Sequence, residues 1–420
     1  MRYSIETYLN IWYLCKFMKK IAHRIGFGVP NIDDKAKKYV MDVLNTQRLS
    51  YGPYCKKLED FTANWHGAKY GVVSNSGTSA LRVAVATLKE LHNWKDNDEI
   101  ICPSSTFVAT SNVVIMNNLK PVFVDVEKEY YCIDPKLIEA KITNKTRAIM
   151  VVHHYGLPAD MFPILDIAKK HNLKVIEDSC ETWFAKYNGK PAGCLGDIGC
   201  FSTYVAHNIT TGVGGISITN NELYAKIMRS YCNHGRNPIY ISIDDDFGKR
   251  EDELQGIIDK RFSFERLGYS FRITEMEAAL GVAQLERWES IISKRQENAQ
   301  YFTEHLKKFE KYLQLPKIRP GCSHSFMMYP VVIKDPRIKK KDLVLFLENN
   351  NVTTRNMNPL MRQPIYLKLF GDLYKQYPVT QWIDENGFYF GCHQELTLEE
   401  KDYIIALFTE FFDSFEKGLN

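Results

Sequence analysis

The sequence contains no apolar run long enough to span a bilayer, no C-x-x-C pair and no dense block of charge. Runs of like charge reach only three residues, as in 339–341, and the formal net charge is +4 over 420 residues. These features argue against nucleic-acid binding and against a membrane span. Residues 8–18 are largely apolar but short, and no small-residue cleavage site follows them. We therefore expect a cytoplasmic protein with an amphipathic helix near its N-terminus.

The ten cysteines are scattered along the chain. Cys180, Cys194 and Cys200 lie close in sequence, but 13 and 5 intervening residues match no common zinc or iron–sulfur spacing. Buried free thiols are the expected state, and we predict no metal site. The 25% charged and 13% aromatic residues are ordinary for a globular enzyme.

An alternation of β-branched runs and helical patterns begins at about residue 28 and indicates an α/β fold. The predicted strands are 71–74, 99–102, 121–125, 148–152 and 174–178, and helices are predicted between them at 79–91 and 161–171. This order favours a mostly parallel sheet with helices on both faces. Ligands bind beyond the carboxyl ends of such strands, so the loops after them are expected to carry the site.

The C-terminal part has a different pattern. A long helix, straight or bent, is predicted over 274–309, followed by a strand at 327–333 and a helix at 341–350. The polar stretch 236–262 is predicted to be a surface excursion. We therefore divide the chain into an N-terminal extension (1–27), a cofactor-binding large domain (28–285) and a smaller α+β C-terminal domain (286–420).

Two hydroxyl-rich segments are candidate anion-binding sites. Ser76, Gly77 and Thr78 follow a predicted strand and open a helix, where free N–H groups and the helix dipole favour an anion; the same residues would also serve as a plain N-cap. Ser202 precedes a segment with glycines at 212, 214 and 215, which permits a tight turn beside a ligand.

Asp178 and Phe107 are candidates for contacts with an aromatic, cationic ring. Asp178 ends a buried-looking strand, where a carboxylate is costly unless it is paired. A protonated pyridine nitrogen would be such a partner, whereas the alternative is a strand-end aspartate that caps the next turn. Phe107 has the shape to stack on a ring, although a lone aromatic residue is more often part of the core.

From about Gly28 to Phe412 the chain resembles the DegT/StrS family of nucleotide-sugar aminotransferases, which adopt the aspartate-aminotransferase fold (fold type I). The resemblance lies in six segments in family order: 28–34, 76–78, 121–125, 176–178, 201–215 and 272–281. It implies pyridoxal or pyridoxamine phosphate as cofactor, a nucleotide-sugar substrate, an amino donor such as glutamate, and a homodimer.

The resemblance also implies roles for single residues. Gly77 and Thr78, with Ser76 and Ser202, would hold the cofactor phosphate, Phe107 would stack on the ring, and Asp178 would meet the pyridine nitrogen. Glu181 falls where the family often has glutamine or histidine near the ring hydroxyl. Ser270 stands where the family usually has an asparagine that reaches the phosphate of the neighbouring subunit's cofactor; the shorter serine would need a water.

His207 stands where the family has its Schiff-base lysine. Imidazole forms no stable link of that kind but moves protons near neutral pH, so the cofactor is expected to be held non-covalently. Histidine here resembles the sugar 3-dehydratase branch, as does the segment 386–394. This implies dehydration at C3 of a nucleotide-linked 4-keto-6-deoxyhexose, in deoxysugar biosynthesis for surface polysaccharide. A related branch carries an iron–sulfur site, but only Cys232 lies between His207 and Gly268.

Two alternatives stay open at this point. One is a sugar aminotransferase, including one in which His207 replaces the lysine by substitution, and the other is a silent family member that acts as a binding subunit. The nucleotide, the sugar configuration and a reductase partner are also open. Candidate sugar or diphosphate contacts, each equally able to be structural, are Tyr329, His324, Arg355 and Arg236.

Overall fold

The computed structural model describes residues 20–418 except 29, 238–247, 261 and 358. The strands are β1 Tyr70–Ser74, β2 Glu99–Pro103, β3 Lys120–Val124, β4 Thr146–Val152, β5 Lys174–Asp178, β6 Lys186–Tyr187, β7 Lys190–Pro191, β8 Ile198–Ser202, β9 Gly215–Thr219, β10 Leu313–Gln314, β11 Met328–Ile333, β12 Thr354–Asn356 and β13 Gly387–Gly391.

The α-helices of the described residues are numbered separately, also in chain order. They are α1 Asp34–Thr46, α2 Pro53–His66, α3 Gly77–Leu91, α4 Val108–Met116, α5 Pro135–Ile138, α6 Met161–Lys170, α7 Glu222–Cys232, α8 Glu251–Lys260, α9 Glu275–Leu285, α10 Trp288–Leu306, α11 Lys340–Asn349, α12 Pro364–Phe370, α13 Pro378–Asn386 and α14 Leu398–Lys417. Short 3₁₀ helices occupy Glu139–Lys141, Lys307–Phe309, Leu360–Arg362 and Tyr374–Gln376.

The large sheet has seven strands in the order β1-β9-β8-β5-β4-β2-β3. The pairs β2–β3, β2–β4, β4–β5 and β5–β8 are parallel, whereas β9 is antiparallel to both of its neighbours, β1 and β8. Buried aliphatic residues of the central strands meet helices on both faces, as expected for a parallel sheet. The predicted α/β fold with a mostly parallel sheet is therefore confirmed.

A smaller antiparallel sheet, in the order β10-β11-β13-β12, lies in the C-terminal part and packs against α10, α11 and α14. The predicted strand at 327–333 and the helix at 341–350 correspond to β11 and α11. Residues 20–28 also belong to this region, because Ile21 and Ile25 lie in its hydrophobic core and Ile25 forms a parallel bridge with Val352. The domain boundaries at 28 and 286 stay a prediction.

Two features differ from the sequence-based expectation. The helix expected over 274–309 is divided into α9 and α10, because Arg287 leaves the helical conformation with φ −127° and ψ 20°. Strands β8 and β9 flank the loop 203–214, which the sequence pattern did not reveal as part of the sheet. The expected helix at 8–18 lies outside the described residues, as does part of the stretch 236–262, of which α8 is described.

Within the described ranges, no helix combines the length and apolar character that a membrane crossing requires.

Four buried histidines and the half-buried His207 set an acid limit on the stability of the fold. Burial lowers the pKa of His66, His154, His207 and His393 to about 4, and that of His324 to about 3. The unfolded-state value is about 6.5, so unfolding takes up protons between about pH 4 and 6.5. The stability gained by keeping these rings neutral is therefore complete above about pH 6.5 and is lost as the pH falls through that window.

We expect the free energy of unfolding, measured by urea denaturation, to rise between pH 5 and 6.5 by up to about 1.4 kcal/mol per pH unit for each histidine. A His324→Gln variant should have a smaller slope, because one buried ring is removed, whereas His23→Gln, at an exposed histidine, should keep the slope. A free energy of unfolding that does not change over this range would contradict the assignment.

Candidate active site

A cavity of about 600 Å³ opens between the carboxyl ends of the large-sheet strands and the small domain. Eight of the nine site residues named from the sequence line it: Ser76, Gly77, Thr78, Phe107, Asp178, Glu181, Ser202 and His207. They come from loops after β1, β2, β5 and β8, which end at the same edge of the sheet. The sequence-based prediction of where the site lies thus agrees with the fold, while the role of each residue remains a prediction.

One end of the cavity is suited to an anion. Ser76 is the N-cap of α3: its side chain accepts from the N–H of Ser79 at 3.1 Å, and its carbonyl accepts from the N–H of Ala80 at 3.0 Å. The N–H groups of Gly77 and Thr78, at the first helical positions, find no acceptor among the described residues. These groups and the α3 dipole point to an anion-binding role.

The sheet register brings Ser202 to this helix end. Gly215 of β9 pairs with Ser74 on one side and with Ser202 on the other. A Cβ atom on Gly77 would lie 2.7 Å from Cβ of Ser202 and 2.8 Å from Sγ of Cys180. The absence of a side chain at Gly77 therefore allows the Ser202 hydroxyl to approach the helix N-terminus.

Asp178, the last residue of β5, carries the buried carboxylate of the site. Its Oδ2 accepts from the Thr110 hydroxyl at 2.8 Å and its Oδ1 from the N–H of Cys180 at 3.2 Å. Burial raises the pKa of this carboxyl group, while the bonds from Cys180 and Thr110 oppose the rise. A protonated ring nitrogen in the cavity would stabilise the carboxylate form, so the environment fits the predicted partner.

Phe107 and Glu181 line the same cavity as Asp178. Phe107 is 59% exposed in this chain although it lines the cavity, so its ring face is open to a flat ligand. Glu181 is half-buried, and its Oε2 accepts from the N–H of Tyr155 at 2.9 Å. Both positions agree with contacts to an aromatic ring that carries polar substituents.

His207 lies on a loop that is closed at its base by hydrogen bonds. The N–H of Thr203 donates to Gly214 O at 2.9 Å, and the N–H of Thr211 donates to Thr203 O at 2.8 Å. Within this loop the N–H of His207 donates to Tyr204 O at 2.9 Å, which turns the imidazole toward the cavity.

Nδ1 of the imidazole has no hydrogen-bond partner among the described residues. Nδ1 of His207 is buried, which leaves Nε2 as the accessible ring nitrogen. Burial, followed by the positive charge of Arg295, lowers the pKa of His207 to about 4. The ring is therefore neutral at pH 7 and able to accept a proton at Nε2.

No lysine occurs among the described residues that line the cavity. A lysine able to form a covalent link to an aldehyde cofactor is thus missing from the described lining, which does include His207. The anion-binding helix end, the open ring face of Phe107 and the buried carboxylate of Asp178 nevertheless fit pyridoxal or pyridoxamine phosphate. No group of three or more metal-ligating side chains was found in the described part of the chain.

Four of the remaining candidate residues do not line this cavity. Ser270 does not line this cavity; it pairs with Asn233 in a β-bridge, and its hydroxyl accepts from Arg272 at 3.2 Å. Tyr329 and His324 are buried away from the cavity lining, and Arg236 lies over the ring of Phe262. Their predicted sugar or diphosphate contacts therefore have no support from this cavity.

Arg355 is the candidate that does line the cavity. Its guanidinium lies 5.0 Å from the ring centroid of Phe27, and the structure pairs it with no carboxylate of the described residues. The ring of Phe27 in turn packs edge-on against Tyr389 at 5.6 Å. The small domain thus contributes an aromatic wall with one positive charge.

Several lining residues escaped the sequence-based reasoning, namely Phe27, Thr106, Cys180, Tyr204, Met327, Met328 and Tyr389. Phe27 immediately precedes the first family-like segment, and Tyr389 lies inside the segment 386–394, so the sequence did contain a signal for these two. Thr110, which lies in α4, was also not singled out from the sequence; its hydroxyl group forms a hydrogen bond with that of Thr106 at 2.8 Å.

Comparisons with known proteins agree with this geometry. A sequence profile of the DegT/DnrJ/EryC1/StrS aminotransferase family matches residues 30–409. The lipopolysaccharide biosynthesis protein RfbH of Salmonella typhimurium is 34% identical over 378 residues, which cover 87% of this chain and 84% of that protein. The GDP-perosamine synthase of Caulobacter vibrioides is 31% identical over 386 residues, which cover 91% of this chain and 97% of that protein.

A solved structure gives the same result for the fold. The E. coli GDP-4-keto-6-deoxy-D-mannose-3-dehydratase with bound hydrated PLP superposes with a TM-score of 0.81 at 28% identity, covering 92% of this chain and 99% of that one. The expected aspartate-aminotransferase-like fold is confirmed by this match. A dehydratase and a synthase resemble the chain to a similar degree, so overall identity does not separate their reactions.

A Gly77→Ala substitution tests the anion-binding end. The added Cβ would press on Ser202 and Cys180, and overpacking of this kind costs about 1–3 kcal/mol. We expect the displaced Ser202 and helix N-terminus to bind the phosphate less well, so that the dissociation constant for pyridoxamine phosphate, measured by equilibrium dialysis, rises about tenfold, which corresponds to about 1.4 kcal/mol of binding free energy. Gly256→Ala, where a Cβ meets open space, is the control and should bind as the wild type does. Unchanged binding by the Gly77 variant would contradict the assignment.

Proposed function

The chain belongs to the DegT/DnrJ/EryC1/StrS aminotransferase family of pyridoxal-phosphate-dependent enzymes that modify nucleotide sugars, and from that premise we propose that it is a sugar 3-dehydratase. Its substrate is a nucleotide-linked 4-keto-6-deoxyhexose, and its product is the corresponding 3-deoxy-4-keto sugar, made for surface polysaccharide. The observation that carries the proposal is the imidazole of His207 in a cavity whose described lining has no lysine.

The cofactor would be held without a covalent bond. The N–H groups of Gly77 and Thr78, with the hydroxyl groups of Ser76 and Ser202, would bind its phosphate. Phe107 would stack on the ring. When bound, pyridoxamine phosphate supplies the amine that condenses with the keto group and the two electrons that reduce C3, and an amino donor such as glutamate restores it.

Asp178 controls the electronic state of the ring. Its buried carboxylate favours a proton on the ring nitrogen, because the pair of opposite charges offsets the burial that raises the pKa of the carboxyl group. Thr110 and the N–H of Cys180 hold the two carboxylate oxygens in place. An electron-accepting ring next to the reacting carbon is what abstraction of a nearby proton requires.

His207 is the catalytic base of the proposal. Its neutral ring accepts a proton at Nε2, and the resulting imidazolium can return that proton to the C3 hydroxyl as this group leaves as water. An anionic ligand in the cavity stabilises the protonated ring and so moves its pKa upward from about 4, toward the range in which a base works well at neutral pH. A lysine would add a covalent anchor and an amine that favours amino transfer, which this lining does not offer.

Arg355 supports the assignment of the substrate class. Its guanidinium lies at the small-domain wall of the cavity, next to Phe27 and without a carboxylate partner among the described residues. A diphosphate is the kind of dianion that such a group binds well, and the aromatic wall offers apolar surface to the sugar or base.

Reduction with borohydride tests the non-covalent binding mode. We expect the wild-type protein loaded with pyridoxal phosphate to lose it on dialysis after borohydride treatment, because no lysine reaches it. A His207→Lys variant should retain the cofactor as a permanent adduct that mass spectrometry detects on the peptide containing residue 207. Covalent labelling of another residue in the wild type would contradict the proposal.

Turnover separates the proposed reaction from amino transfer. The protein is incubated with pyridoxamine phosphate and a panel of nucleotide-linked 4-keto-6-deoxy sugars, and ammonia and sugar products are measured by mass spectrometry. We expect ammonia together with a 3-deoxy product, and little reaction of the same sugar without its nucleotide. The turnover rate of His207→Ala should be about 10²–10⁴-fold lower. An amino sugar as product, or near-full activity of that variant, would overturn the proposal.

We also propose a homodimer with the sites at the interface. Phe107 is 59% and Tyr204 50% exposed in the single chain although both line the cavity, and Ser270 does not line the cavity of its own chain. A second copy would cover these residues and bring its Ser270 to the phosphate end. Sedimentation velocity should show a dimer at micromolar concentration; a monomer that turns over substrate would contradict this arrangement.

A further inference from the structure

The segment 324–327 is a buried connection that leads into β11, and side chains of other elements bind all four of its carbonyl groups. Its carbonyl groups accept hydrogen bonds from three residues on other elements. Nε2 of Gln296 donates to His324 O at 3.0 Å, and Nδ2 of Asn208 donates to Ser325 O at 3.1 Å. Nη1 of Arg295 donates to both Phe326 O, at 3.3 Å, and Met327 O, at 2.9 Å.

The N–H groups of the same connection 324–327 bind the loop after β4. The N–H of Ser325 donates to Gly156 O at 2.9 Å, and the N–H of Met327 donates to Tyr155 O at 3.1 Å. Phe326 adopts φ +43°, which is uncommon for a residue with a Cβ atom, and its N–H donates to Nδ1 of His324 at 2.9 Å. The connection is therefore fixed in one conformation by contacts on both sides.

Two residues of the candidate site, His207 and Glu181, are linked to this connection through a neighbouring residue. Asn208, which is fully buried, directly follows His207 in the chain. Tyr155 donates its N–H to Oε2 of Glu181 at 2.9 Å. The connection 324–327 thus joins the turn that carries His207 to the loop that contacts Glu181.

Arg295 is the group that holds the connection from the small-domain side. It lies in the middle part of α10 and is 1% exposed, and its Nε donates to Oε1 of Gln394 at 3.1 Å. No carboxylate among the described residues pairs with it, so its charge stays uncompensated by an acid. Burial accordingly lowers the pKa of the guanidinium to about 10, which still leaves it charged at neutral pH.

We propose that Arg295 is a positioning residue for His207, acting through the connection 324–327 and Asn208, and that its buried charge opposes a second positive charge on the imidazole. The inference rests on the proposed role of His207 as the base. Apart from burial, the charge of Arg295 is the main cause that lowers the pKa of His207. Arg295 thus acts on the His207 ring in two ways: it fixes the position of the ring, and its charge disfavours protonation of the ring.

Other ionisable side chains face the same space and have to be considered. Those that line the cavity with His207 are Asp178, Cys180, Glu181, Tyr204, Arg355 and Tyr389. The charges of these side chains do not shift the pKa of His207. Tyr204 does raise this pKa, but through a hydrogen bond of its backbone and not through its side chain. His393 also feels the charge of Arg295, so its titration has to be followed separately.

The electrostatic effect is tested by NMR titration of the full-length protein without cofactor or substrate. The histidines are labelled with ¹³C, and the His207 signal is assigned from its loss in His207→Gln. In Arg295→Gln, which keeps a hydrogen-bond donor but removes the charge, we expect the pKa of His207 to rise by about one unit or more, a tenfold change in the protonation equilibrium. In Arg295→Lys, which keeps the charge, the pKa should stay low.

Gln296→Leu is the matched control, because it removes one hydrogen bond to the connection without changing any charge. Its His207 pKa should equal that of the wild type. An unchanged His207 pKa in a folded Arg295→Gln protein would overturn the electrostatic effect, and so would an equal rise in the Gln296 control.

The mechanical effect is tested with Asn208→Ser, which breaks the bond to Ser325 O and alters no charge. We expect ¹³C relaxation to show increased motion of the His207 ring while its pKa stays near the wild-type value. Unchanged relaxation would overturn this effect, and the test remains available if Arg295→Gln fails to fold. Because neither measurement uses turnover, a failure of the dehydratase proposal, seen only in the activity assays, is distinguishable from a failure here.

Discussion

The proposed chemistry of this protein depends on the imidazole of His207, which is neutral and exposes one ring nitrogen to the ligand cavity. Burial and a nearby positive charge disfavour the protonated form of His207, and the described cavity lining contains no lysine that would compete for the same position. In the proposed function, a base that accepts a proton but forms no lasting bond leaves the cofactor to be held by its phosphate and its ring. The groups proposed for these contacts are the N-terminus of α3 for the phosphate and the buried carboxylate of Asp178 for the ring nitrogen.

The fold brings these groups together through the antiparallel strand β9. Gly215 of this strand pairs with both Ser74 and Ser202, so the loop after β1 and the end of β8 become neighbours although they are far apart in sequence. The absence of a side chain at Gly77 then allows close approach of the two segments. The phosphate end is therefore a consequence of sheet topology, whereas the reactive end depends on the loop 203–214 and on the connection 324–327.

Much of this arrangement was accessible from the sequence, because the large domain follows local patterns. Alternating strands and helices predicted the parallel sheet, and Asp178 was found because it stands at the end of a predicted strand, where ligands bind. Ser202 was found from the glycine-bearing segment that follows it and from the family resemblance, not from the strand β8 that it ends. The sequence allowed a bend in the helix predicted over 274–309 but did not locate the break between α9 and α10, because apolar residues continue at helical spacing across Arg287. Phe27 and Tyr389 were not assigned to the site, because their approach to the cavity arises from packing between domains rather than from local periodicity. Arg295 was missed for the same reason: an arginine on a helix gives no local sign that it will be fully buried.

The central claim concerns the position of one ring relative to one carbon atom, and a crystal structure of the complex with pyridoxamine phosphate measures it directly. The account predicts that Nε2 of His207 lies about 3–3.5 Å from the amine-bearing carbon, a distance suited to proton transfer, with Asp178 at the ring nitrogen and no covalent bond to the protein. Density that runs from the cofactor into a lysine, or an imidazole turned away from that carbon, would contradict it.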